Sequence, residues 1–154
     1  MYIGRLTLVA TIVAIAGYIV MRWLVVLNSP TPADLGVHNG QLRPCPDSPN
    51  CVSSTGTDTE HSIEPLPYVV PTAQMQEQLL AVLKTIPRAT IITAQPDYVH
   101  VELRTQLMGF VDDAEFYFDE THGVLHMRSG SRLGYSDMGV NRRNLEQIRS
   151  ALAE

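Results

Sequence analysis

Residues Leu6 to Leu27, LTLVATIVAIAGYIVMRWLVVL, run for 22 positions with one charge, Arg22. About 20 such residues, rising 1.5 Å each, cross the roughly 30 Å hydrocarbon core of a bilayer. No other part of the chain constrains its fold so strongly, and the stretch predicts one membrane-spanning helix. Arg22 lies near its far end, where the stem can stay in the apolar layer and the guanidinium can reach the interface. Trp23 beside it suits the aromatic belt. The competing reading is a cleaved signal peptide, because Ala14-Ile15-Ala16 has the small-x-small form of a cleavage site. Against it, the apolar run continues past that point, and no Cys near its end marks a lipoprotein signal.

All 16 acidic residues lie at or after Asp34. Beyond residue 28 there are 9 basic against 16 acidic residues, a net charge of −7. Such a domain gains nothing from phosphate backbones, which excludes a nucleic-acid partner. Arg5 and the amino group mark the N-terminus as the retained side, although Arg22 and Arg43 weaken that bias. The two cysteines tip the balance. Cys45 and Cys51 bracket a short Pro-rich loop, CPDSPNC, and a disulfide between them fits an oxidising space. The expectation is a single-pass protein of the cell inner membrane with its C-terminal domain outside the cytoplasm. Two other uses of the cysteines stay open. Zinc would need two more ligands, with His38 and His61 nearest, at a spacing that matches no standard pattern. A redox pair would lack the C-x-x-C turn that activates a thiolate.

The chain divides into an anchor (1–28), a tether (29–40) and an extracytoplasmic domain (41–154). The tether, NSPTPADLGVHNG with Asn28, holds Pro, Gly and Asn and little apolar content. His61 to Val70 reads as a short edge strand because of its prolines. Thr72 to Ile86 is the clearest soluble helix, capped by Thr72 and ended by Pro87, with Met75, Leu79, Val82 and Ile86 on one face. The period then changes to two. Val99, Val101 and Leu103 oppose Tyr98, His100, Glu102 and Arg104; Ala114, Phe116 and Phe118 oppose Glu115 and Tyr117; Leu125 and Met127 oppose Val124, His126 and Arg128. With a shorter run at Thr90 to Thr93, these strands form an antiparallel meander with one polar face. A closing helix over Asn141 to Ala153 carries Leu145, Ile148 and Leu152, with Asn141 or Ser136-Asp137 as its cap. The fold class is α+β: an antiparallel sheet of about four or five strands with two helices on one face, preceded by the membrane helix.

Three strings, LRPCPDSPNCVSS (Leu42 to Ser54), GFVDDAEFYFD (Gly109 to Asp119) and RSGSRLGYSDMGVNRRNLEQIR (Arg128 to Arg149), resemble the domain of unknown function 1499 family over roughly residues 41 to 152. Gly130 departs from the Ala of that family's Arg-Ser-Ala-Ser-Arg string. The resemblance implies one compact domain behind an N-terminal membrane segment. It carries no activity, cofactor or catalytic residue.

The best candidate site is the run Arg128, Ser129, Ser131 and Arg132, with Ser136 and Asp137, joined by Asp112 and Asp113. Guanidinium forks, hydroxyls and flexible backbone before a helix N-terminus are what an anion site needs. The alternative is a buried polar turn in which Arg128 and Arg132 pair with Asp112, Asp113 or Asp137. Adjacent carboxylates on a strand face opposite sides, so Asp112 and Asp113 serve one site only from a turn. The polar sheet face is either a solvated surface of cross-strand charge pairs or a shallow binding platform. No GxSxG, HExxH, P-loop or dinucleotide fingerprint occurs, so no cofactor, metal or catalytic residue is assigned. The sequence therefore reads as a membrane-anchored binding domain for an envelope protein or a small anionic ligand. The second reading is a hydrolase using the Asp cluster, with or without a metal.

Overall fold

The structure is a computed structural model that describes residues 2–153. Met1, whose amino group enters the orientation argument, and Glu154 lie outside the described residues. Helix α1, Tyr2–Leu27, contains the apolar run. Its Gly4–Leu27 portion is long and apolar enough to cross a membrane, and the rest of the protein covers almost none of it.

Eight strands follow: β1 (Val37–His38), β2 (Gln41–Leu42), β3 (Cys51–Ser53), β4 (Leu66–Pro67), β5 (Ala89–Gln95), β6 (Tyr98–Arg104), β7 (Val111–Asp119) and β8 (Val124–Ser131). Helix α2, Thr72–Thr85, precedes β5, and α3, Val140–Leu152, follows β8. Strands β1 and β2 form a small hairpin. The other six form one antiparallel sheet in the order β3-β8-β7-β6-β5, with β4 also paired to β8. The architecture is α+β, as the residue pattern predicts.

The meander forms because period-two apolar residues give each strand one water-avoiding face. Val99, Val101 and Leu103 of β6, Ala114, Phe116 and Phe118 of β7, and Leu125 and Met127 of β8 are buried in one core. Helix α2 supplies Met75, Leu79 and Leu83, and α3 supplies Leu145 and Ile148. Each such side chain contributes roughly 1.5–3 kcal/mol of transfer free energy. Leu83 is the buried member of the last turn of α2, whereas Val82 and Ile86, expected there, pack only partly against the core. Leu152 is likewise partly buried.

Several expected boundaries shift. Pro71 stands at the cap of α2, and Thr72 is already its first helical residue. The edge strand of 61–70 shrinks to Leu66–Pro67. Strand β8 runs three residues past Arg128, to Ser131. The Ser- and Pro-containing segment Gln41 to Thr59 reads from its composition as loop-rich, yet it holds strand β3, because three residues are too few to show a period. Helix α3 starts at Val140 with Gly139 at its N-cap position, and Asp137, two residues before the cap, accepts the Gly139 and Asn141 N–H groups at 2.9 and 2.7 Å.

The middle of the polar face is covered and is not an open platform, while Arg104, Tyr117 and His126 toward its ends stay partly exposed. His100, Glu102, Asp113, Glu115 and Arg128 are all buried. The cover comes from residues 29–51. Ser29 is buried and its carbonyl accepts from Arg132, the Gly36 N–H donates to Glu115 Oε1 at 2.7 Å, and Leu42 is buried. The stretch read as a tether lies across this face, and Gly36 makes the close approach at φ +113°, which suits only glycine.

Candidate functional site

The register of the meander places the charges. Glu102 lies opposite Asp113, His100 opposite Glu115, and Glu115 opposite Arg128. Arg132 follows β8 and folds its guanidinium over the end of this row. Its Nε and Nη2 donate to both oxygens of Asp113 at 2.8 and 2.7 Å, and Nη2 also reaches Glu102 at 2.6 Å. His100 Nε2 donates to Asp113 at 2.8 Å, and Arg104 donates to the other Glu102 oxygen at 2.6 Å. Burial pushes the Asp113 carboxyl up, but the Arg132 bonds and charge and the His100 bond outweigh it and hold it below its ordinary value. This cluster is internally matched. Two carboxylates and, through Nη1 at 3.1 Å, the Ser29 carbonyl engage all three nitrogens of Arg132, so Arg132 is not free for a ligand.

Arg128 differs. Its side chain is 1% exposed, and its Nη1 donates to Glu115 Oε2 at 3.1 Å. Glu115 also accepts from Tyr98 Oη at 2.8 Å and from the Gly36 N–H. Among the described residues, only two buried side-chain polar atoms lack a partner, Arg128 Nε and Arg43 Nε. Both arginines line one cleft of about 320 Å³, with Asp34, Pro44, the Cys45–Cys51 disulfide, Asn50, Gly130 and Ser131. The cysteines are joined, with an S–S distance of 2.07 Å. Burial first, and then the neighbouring Arg43 charge, pulls the Arg128 guanidinium below its ordinary value. A guanidinium nevertheless keeps its proton at neutral pH, so two like charges stay close together. Arg43 Nη1 is balanced by Asp34 at 2.6 Å, at the exposed rim. The glycine at 130 matters here, since a Cβ would sit 3.3 Å from Arg128 Nη2 and from Cys51 Sγ. The residue that departs from the resembling string leaves room around the guanidinium.

The expected site residues therefore divide. Arg128 and Ser131 line the cleft. Arg132 and Asp113 are on the same sheet face, bound to each other. Ser129 is buried on the helix side and donates to Asn141 Oδ1. Ser131 Oγ donates to Asp112, which lies on that side as well. Ser136 Oγ accepts the Met138 N–H at 3.2 Å, and Asp137 occupies the α3 N-terminus. The reason is the extra length of β8: Arg128 to Ser131 is strand, and alternation sends neighbours to opposite faces. The three aspartates do not gather, because Asp113 is separated from Asp112 and Asp137 by the sheet. Burial pushes Asp112 above its ordinary value, opposed by the Ser131 bond and reinforced by the Asp137 charge. Among the described residues, no group of three or more His, Cys, Asp or Glu is placed to hold a metal ion.

Sequence reasoning missed Arg43 and Asp34 as site residues. The available signal was the position of Arg43 two residues before Cys45, just outside the loop that the disulfide closes beside β8. Asn50 secures that loop: its Nδ2 donates to the Gly134 carbonyl at 2.6 Å, and its carbonyl accepts from Ser131 N and Asn141 Nδ2 at 3.0 and 2.9 Å.

A family model described as Protein of unknown function (DUF1499) matches residues 41–152. No curated protein matches the chain.

Proposed function

Because the chain belongs to the DUF1499 family, whose description carries no activity, its chemistry must be read from its own residues, and we propose that it is a membrane-anchored domain that captures a small oxyanion between Arg43 and Arg128. In this reading α1 crosses the cell inner membrane once and carries the disulfide-bearing domain to the oxidising side. The observation that supports it is the pair of buried, unpartnered Nε atoms on two arginines that share one cleft. A buried polar group without a hydrogen bond is costly, and a phosphate or carboxylate group offers acceptors to both guanidiniums at once. Arg128 presents its charge from a rigid strand, and the disulfide pins the chain two residues after Arg43. Asp34 is a competitor at the rim: its carboxylate holds Arg43 until an anion displaces it.

The test is calorimetric titration of the full chain in detergent with inorganic phosphate and, separately, acetate. Wild type binds at least one of them, Arg43→Gln loses most of that affinity, and Asp34→Asn binds more tightly. Equal binding by all three proteins, or no binding by any, rejects the cleft as an anion site.

A further inference from the structure

Outside α1, five large apolar side chains are exposed among the described residues: Val69, Ile92, Leu107, Tyr135 and Met138. Three of them fall in two loops at one end of the sheet. Leu107 (71% exposed) lies in the β6–β7 loop, and Tyr135 (76%) and Met138 (86%) lie in the β8–α3 loop. These loops border a common cleft of about 190 Å³, lined by Phe110 and Thr105 from one and by Leu133 and Met138 from the other.

The same end of the domain touches α1 inside its apolar run. Tyr18 Oη donates to the Leu107 carbonyl at 2.6 Å. The Arg22 guanidinium lies over Gly109, with Nη2 3.2 Å from where a Cβ would stand, and its Nη1 reaches Tyr18 Oη at 3.5 Å. Gly109 has φ +74°, so the turn favours glycine there. Counting about 20 residues from Gly4 puts the outer edge of the hydrocarbon near Trp23. Tyr18 then lies five residues deeper, about 7.5 Å at 1.5 Å per residue. A loop bonded to Tyr18 cannot stand clear of the membrane that holds α1.

We propose that the β6–β7 and β8–α3 loops seat the domain in the bilayer interface, with Leu107, Tyr135 and Met138 immersed among phospholipid headgroups and upper acyl chains. The proposal rests on the reading that α1 spans the membrane. It assigns Arg22 a second role: its charge is carried to the interface by contact with the β6–β7 loop as well as by its own stem. Exposed Leu, Met and Tyr are unfavourable in water and suited to that layer, with Tyr oriented by its hydroxyl. The domain is then held at a fixed tilt.

The sequence has a single tryptophan, Trp23, which makes a direct test possible. The full chain is placed in vesicles of phosphatidylethanolamine and phosphatidylglycerol containing lipids brominated on the upper acyl carbons. Wild-type Trp23 reports α1. Trp23→Phe is combined in turn with Leu107→Trp, Met138→Trp and Val69→Trp; Val69 lies beside Tyr68, which bonds Gly123 at the opposite end of the sheet. Trp at 107 and 138 should lose emission to the extent that Trp23 does and shift to the blue, while Trp at 69 should be unaffected. Quenching of Trp23 without quenching at 107 and 138 overturns the seating and leaves the anchor intact. No quenching of Trp23 overturns the anchor and the seating together. Quenching at 69 equal to that at 107 also overturns the proposal, since the domain would have no preferred face.

Discussion

One face of the sheet is buried under two helices and the middle of the other under residues 29–51, yet they are buried in different ways. The face under α2 and α3 is closed by Leu79, Leu83, Leu145 and Ile148, which need only be excluded from water. The face under residues 29–51 is closed over His100, Glu102, Asp113, Glu115, Arg128 and Arg132, and each of these must find partners. Dispersion and the hydrophobic effect tolerate approximate packing, whereas buried charges punish every unmatched atom. A cavity on the first face is only a loss of stability. An unpaired nitrogen on the second is costly until something supplies an acceptor, and Arg128 Nε and Arg43 Nε are the two left in that state among the described residues.

Substitutions on the two faces should separate these effects. Leu79→Ala removes a fully buried side chain from the helix face and should cost about 3–4 kcal/mol, with no dependence on pH. Denaturant unfolding of the detergent-solubilised chain measures it. Asp113→Asn leaves Arg132 and His100 without their shared charge and should cost about 3 kcal/mol at neutral pH. Here the pH dependence carries the information. The folded Asp113 carboxyl is held below its ordinary value, so its contribution is complete above about pH 4 and is lost as pH falls through the depressed folded value. The gap between wild type and Asp113→Asn should close in acid, while the Leu79→Ala gap should not.

Asp112 is the next-door control. It faces the helices, and burial raises its carboxyl. A raised acid contributes stability below its ordinary value and loses it as pH rises through the folded value. Asp112→Asn keeps an acceptor for Ser131 and should therefore stabilise the protein at neutral pH, on the order of 1 kcal/mol, with the gain vanishing in acid. Melting curves across pH decide this. A destabilising Asp112→Asn would mean that the charge has a partner outside the described contacts.

Much of this contrast is legible in the amino-acid order. Alternation in Tyr98 to Arg104 and in Ala114 to Phe118 identifies both faces, and the helix periods identify the cover of one. The cover of the other is not legible. Residues 29–51 have no sustained period, and their hold on the sheet depends on single contacts such as Gly36 N–H to Glu115. The candidate site suffered from one boundary. Ending β8 at Arg128 makes Ser129 to Arg132 a turn that can converge, whereas the strand to Ser131 separates them. Arg43 is brought to Arg128 by the disulfide loop and the hairpin, a long-range arrangement that no local spacing encodes.

Arginine side-chain NMR observes the two unpaired nitrogens, Arg43 Nε and Arg128 Nε, directly. In the full chain labelled with ¹⁵N-arginine, titration with the oxyanion that binds should shift the Nε–H signals of Arg43 and Arg128 and leave that of Arg132, already committed to Asp113 and Glu102, in place. An Arg132 signal that moves while those of Arg43 and Arg128 stay fixed would contradict the account.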